Sequence, residues 1–192
     1  MAWQSAHYIE HPSVSAFMAL AAHDTIIFRS MHQIVAWNTH QWQAPLWTYQ
    51  LVNDKTMGAK ALVHIGNTVI SYNDPPQEEQ PRRVIALDTH AGTVVWERSL
   101  DLLISQAGLL ATKQQLFVHG YDLAAEQYVL MELDIHTGAT QAQASSIGLS
   151  SAAASQTAIF VASPSQVMLH PVHDLQQTSS LAMHNTSLLA VE

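Results

Sequence analysis

Twelve histidines stand in a chain of 192 residues that has no cysteine. Four of them, His40, His90, His136 and His173, recur at corresponding places and are the first residues to consider as metal ligands. Nitrogen ligands must lie ~2.0–2.1 Å from one ion, whereas packed sheets stand ~10 Å apart. Histidines in successive turns of stacked sheets cannot meet that distance, so each reads as an exposed turn residue. His170 and His173 are three apart, but Pro171 between them denies a shared helical face. His7 and His11 would face each other only on a helix, and Pro12 follows at once.

Nucleophilic chemistry finds no better footing. A Ser-His-carboxylate arrangement is recognised by geometry, and seventeen serines beside twelve histidines make chance combinations certain. There is no G-x-S-x-G elbow, and Gly58, Gly66 and Gly108 stand alone rather than in a phosphate loop. The missing cysteines exclude disulfides, thiol nucleophiles and cysteine-bound zinc. Asp122 and Asp134 are conceivable paired acids, although turns at strand ends favour Asp for local hydrogen bonding. No catalytic, cofactor-binding or metal residue is assigned, no cofactor is expected, and the expectation is a protein that is not an enzyme.

Composition narrows the partners. Seven Lys+Arg against fifteen Asp+Glu give a net charge of −8. Nucleic-acid binding draws on clustered cations, and Arg82-Arg83, just behind Glu78-Glu79, is the one adjacent basic pair. Neither nucleic acid nor an anionic membrane is an expected partner. The N-terminal stretch shows no basic segment followed by a continuous apolar run, and no run approaches the ~20 apolar residues of a span. The expected location is cytoplasmic. Charged residues make up only 11% of the chain and apolar ones 48%, which suits a protein that buries much of its surface.

The elements that would carry these residues repeat. Val84-Ile85-Ala86-Leu87-Asp88-Thr89-His90-Ala91-Gly92-Thr93-Val94-Val95-Trp96 reads as strand, tight turn and strand. The phrase returns 46 residues later as Met131-Glu132-Leu133-Asp134-Ile135-His136-Thr137-Gly138, and stands 50 residues earlier as Ile34-Val35-Ala36-Trp37-Asn38-Thr39-His40 with Leu46-Trp47. A worn copy is Val167-Met168-Leu169-His170-Pro171-Val172-His173. Two further apolar strands precede each copy, such as Ala61–Ile65 with Thr68–Tyr72, and Gly108–Ala111 with Leu116–His119. Four short strands per unit of roughly 40–50 residues is the signature of a propeller blade. Leu123–Gln127 is too short for a stable helix, and Asn73–Pro81, with three prolines, reads as a projecting loop.

Ala86, Asp88, Gly92 and Trp96 match every fixed position of the tryptophan-docking motif A-x-D-x-x-x-G-x-x-x-W. In this the chain resembles the quinoprotein-like (PQQ-type, WD40-like) β-propellers. The first unit keeps Ala36, Asn38 and Trp47 in a hairpin one residue longer. The third keeps Asp134 and Gly138 but has Glu132 and Ala142, and the fourth has neither an Asp-to-Gly turn nor tryptophan. Each of these positions has a physical use. Alanine leaves room, Asp caps its turn, Gly permits the reversal, and Trp offers a face and an N–H to the next blade. Trp42, in a turn, is a candidate partner contact.

The resemblance implies an all-β fold of about four four-stranded antiparallel blades, at 13–51, 57–100, 103–147 and 150–184, in one domain over 1–192. Met1–Ala6 resembles an outermost strand and Ser187–Val191 an innermost one. Family rings generally close with seven or eight blades, so four imply a partial ring completed by a protein partner or a second copy; self-closure is the alternative. The implied function is a non-catalytic binding or scaffold propeller in protein assembly. The alternatives are a fragment of a PQQ-dependent oxidoreductase and a small-ligand sensor.

Overall fold

The computed structural model describes residues 18–22, 24–30, 32–51, 62–73, 82–148 and 151–182. The terminal segments resembling strands, Met1–Ala6 and Ser187–Val191, and residues 74–81 of the expected loop lie outside them. The described residues contain sixteen strands and no helix. The first blade comprises β1 (Met18–Ala22), β2 (Thr25–Arg29), β3 (Gln33–Asn38) and β4 (Trp47–Gln50). The second comprises β5 (Leu62–Ile65), β6 (Thr68–Asn73), β7 (Arg82–Asp88) and β8 (Val94–Leu100). The third comprises β9 (Leu102–Ala111), β10 (Leu116–Asp122), β11 (Gln127–Leu133) and β12 (Thr140–Ser145). The fourth comprises β13 (Ser151–Ala154), β14 (Ala158–Ala162), β15 (Gln166–Pro171) and β16 (Ser179–Ala182).

Each blade is a separate antiparallel meander whose strands pair in chain order. Neighbouring blades meet along their first strands, β1 beside β5, β5 beside β9 and β9 beside β13. The sheets thus radiate from one side, and the described residues form an open arc of four blades.

Three apolar layers fill the joints between blades. Ile27, Ile34, Ala36 and Trp47 of the first blade pack on Leu62, Val69, Ile85 and Leu87 of the second. The other face of the second blade presents Ile70, Val84, Ala86 and Trp96 to Leu109, Leu116, Val118 and Val129 of the third. The third then places Leu110, Phe117 and Leu130 against Ile159, Val161 and Val172 of the fourth. This two-sided burial explains unbroken apolar runs such as Val84–Leu87, because adjacent residues of a strand point to opposite joints.

One strand differs from expectation. The apolar pattern puts the innermost strand of the third blade at Gly108–Ala111, but it runs from Leu102 to Ala111. Its pairing with β10 shifts between Val118 and Gly120. A β-bulge lets the strand bend and continue. Gly120 sits where the backbones close in, since a Cβ there would lie 2.9 Å from the Leu103 carbonyl oxygen. The segment 123–126 is a tight turn that joins β10 to β11.

Candidate functional site

The turn between the third and fourth strands of a blade is where the repeated residues converge. In the second blade Asp88 accepts hydrogen bonds from the backbone N–H groups of His90 (2.9 Å) and Ala91 (2.7 Å). Gly92 reverses the chain at φ +67°, a left-handed conformation that side chains disfavour. In the third blade Asp134 accepts from the N–H groups of His136 (2.9 Å) and Thr137 (2.8 Å), and Gly138 sits at φ +70°. The Thr137 hydroxyl donates to Asp134 as well, and these bonds hold its carboxyl below the usual carboxylate range. Asn38 caps the first turn by accepting from the His40 N–H at 2.7 Å. Asp122 caps a separate turn through the N–H groups of Ala124 and Ala125.

The two glycines serve the neighbouring blade too. The Trp47 indole lies over Gly92, where a Cβ would fall 2.5 Å from its Cδ2. The Trp96 indole covers Gly138, where a Cβ would fall 2.6 Å from its Cε3. Each tryptophan then donates its Nε1–H to the carbonyl one residue after the capping Asp. Trp47 reaches Thr89 at 2.9 Å, and Trp96 reaches Ile135 at 2.8 Å. Ala36 and Ala86 pair directly with these tryptophans and are fully buried. Their small size leaves room for the ring on the same face.

The fourth blade lacks this geometry but keeps its acceptor. In the third blade, which faces it, Ala142 stands at the tryptophan position, paired with Glu132. Val172 corresponds to Thr89: the N–H of Val172 bonds Thr157 as that of Thr89 bonds Asn67. The carbonyl of Val172 accepts from Gln115 Nε2 of the third blade at 3.0 Å. Nothing in the motif points to Gln115, because the donor has moved from the fourth strand to the turn before β10.

The first blade shows a third version. The corresponding carbonyl is that of Thr39, whose N–H bonds Asp24. It accepts from Trp42 Nε1 at 3.0 Å, within the same turn. The Trp42 ring stacks on Trp37 at 6.2 Å between centroids and 24° between planes, and remains 45% exposed. One acceptor position in four blades is thus served by three kinds of donor.

Further bonds reinforce the joints. Buried Arg29 donates to the Tyr72 carbonyl at 2.8 Å, and Arg98 to that of Gly138 at 2.6 Å. Gln176 of the fourth blade donates through Nε2 to the Gln143 carbonyl of the third.

The histidines divide into two groups. His40, His90, His136 and His173 are exposed in their turns. His119 and His170 are fully buried beside the joint of the third and fourth blades. His119 Nε2 lies 2.9 Å from the Ile147 carbonyl, and its ring stacks with Tyr128 at 5.8 Å. Burial holds the His119 pKa down to about 4 from its usual 6.5, and lowers that of His170. Among the described residues no group of three His, Cys, Asp or Glu is placed to hold a metal. An open cleft of about 350 Å³ lies at the third blade's rim, lined by Gln115, Glu132, Asp134 and His136. Its two carboxylates are engaged, Glu132 with Gln115 Nε2 at 2.9 Å and Asp134 with its own turn.

Neither a protein-family model nor a curated protein sequence matches the chain. Solved structures do. Hsv2 of Kluyveromyces lactis superposes with a TM-score of 0.59 at 8% identity, covering 90% of this chain and 51% of that one. Quinohemoprotein alcohol dehydrogenase of Comamonas testosteroni gives 0.52 at 17% identity, over 70% of this chain and 21% of that one. BamB of Moraxella catarrhalis gives 0.47 at 16% identity, over 86% and 63%. The chain therefore spans less than two thirds of each. The fold is a β-propeller fold, present here among the described residues as an arc of four blades.

Proposed function

We propose that this arc is a non-catalytic binding or scaffold unit that works in protein assembly, with its two end faces covered by protein. The observation that carries this reading is the character of the end blades. The outward face of the fourth presents Phe160, 38% exposed, and Leu181, 70% exposed, with Val167 and Leu169 between them. The outward face of the first presents Ile26, Val35 and Trp37. Repeat proteins that end in water carry polar outer faces on their terminal repeats, and contiguous apolar surface marks an interaction site. The engagement of Asp88, Asp134 and Glu132 in local hydrogen bonds supports a structural rather than a catalytic use of these carboxylates.

Native mass spectrometry of the chain purified from its source tests this reading. Recovery in a complex of fixed stoichiometry, with its own copy or with another protein, is the expected result. Recovery as a free monomer would overturn it. Incubation with PQQ and a divalent ion should produce no dye-linked oxidation of alcohols or sugars, and turnover would overturn the non-catalytic half.

A further inference from the structure

We infer that a second copy of this chain covers the end faces, the fourth blade of each copy packing on the first blade of the other to complete a ring of eight blades. The inference rests on the scaffold reading above and names its partner.

Both end blades have the sequence of interior blades. Strand β14 is Ala158-Ile159-Phe160-Val161-Ala162, and β3 contains Ile34-Val35-Ala36-Trp37. The second and third blades carry runs of the same kind, Val84-Ile85-Ala86-Leu87 and Leu116-Phe117-Val118, and bury both faces. Strands buried on two sides read as continuous apolar runs, whereas strands with one wet face alternate. The end blades are written for two neighbours and have one within the described residues.

The rim donors identify that neighbour. Tryptophan reaches forward from the first blade to the second and from the second to the third, and Gln115 from the third to the fourth. The tryptophan position of the fourth blade is Ser179, paired with Leu169, and the position of Gln115 is Ala158, paired with Pro171, so neither N–H donor used at the inner joints recurs there. A blade following it must fill its own acceptor carbonyl. The first blade does so, through Trp42 and Thr39. Among the described residues, the blade with a donor in its own turn is therefore matched to the blade that repeats neither inner-joint donor. A twofold axis makes both contacts at once, the fourth blade of each copy on the first of the other, so the pair closes on itself.

The absence of cysteine makes the test direct. The full chain would be prepared as Val35→Cys, as Phe160→Cys and as the double variant, with circular dichroism confirming the fold. Native mass spectrometry should give twice the 21.1 kDa chain mass. A short bismaleimide should link copies in the double variant and in an equimolar mixture of the single variants, but neither single variant alone. A monomer at all concentrations, a linkage confined within one chain, or a dimer without cross-links would each overturn the inference. A monomer alone that is bound in its source to a different protein would overturn the second copy and leave the scaffold reading standing.

Discussion

The Trp47 indole occupies the space that a side chain at residue 92 would need, so the turn of one blade is shaped to the ring of the blade before it. The same relationship holds between Trp96 and Gly138. The glycine answers two requirements there, positive φ and a bare surface, and substitution separates them. Gly66 supplies the comparison, with φ +58° and open space for 4 Å around the place a Cβ would take.

Gly66→Ala should cost about 1–2 kcal/mol, the penalty of the left-handed conformation alone. Gly92→Ala and Gly138→Ala should cost about 3–5 kcal/mol, because displacement of the indole adds to that penalty. Urea unfolding of the three variants measures the difference. Equal losses would show that the ring yields freely.

Replacing a docking tryptophan should act in two stages. Trp47→Phe and Trp96→Phe retain most of the apolar contact but leave the Thr89 or Ile135 carbonyl without its donor, at about 1–2 kcal/mol. Alanine at either position removes the contact as well and should cost about 3–5 kcal/mol. Denaturant titration followed by circular dichroism avoids the change in fluorescence that these substitutions bring.

The joint between the third and fourth blades has no tryptophan and should open first. Gln115→Ala removes the donor to Val172 and should destabilise by about 1 kcal/mol. Hydrogen exchange should accelerate across β13–β16 while β5–β8 stays protected. Uniform acceleration over all four blades would mean that the arc opens as a single unit.

Acid should weaken the protein through His119. Its native pKa of about 4 lies below the usual 6.5, so between these values the unfolded chain holds a proton that the native chain excludes. The stabilisation is present above pH 6.5 and fades as pH falls toward 4, by up to about 3 kcal/mol. The buried His170 is shifted in the same direction and adds to the slope. His119→Gln should lower stability at neutral pH yet flatten its dependence between pH 6.5 and 4, which melting curves across that range would read.

Much of this organisation is legible in the chain because a few side chains have one physical use each. Ala86, Asp88, Gly92 and Trp96 recur at fixed spacing, and that spacing is the pairing of β7 with β8 around a tight turn. The apolar runs give the strands, and turn residues separate them. The histidine reading separates turn from strand. His90 lies beside Asp88 and is exposed, whereas His119 falls within β10 and its burial follows from the two blades around it. Gln115 and Trp42 are illegible as docking donors for a related reason. Their partners are main-chain carbonyls, which no residue type announces, and each lies outside the strand that carries the motif. The full length of β9 escapes the pattern because residues 105–107 continue the strand through an irregularity in pairing.

Since the receiving group belongs to the backbone, the bond demands no particular side chain above it, and Thr39, Thr89, Ile135 and Val172 hold that place with little in common. Duplicated modules can then drift apart in spelling while their mechanical linkage persists, provided some amide or indole nearby still reaches across. Searching such chains by consensus will undercount the modules, and following the shared oxygen from one to the next will recover them.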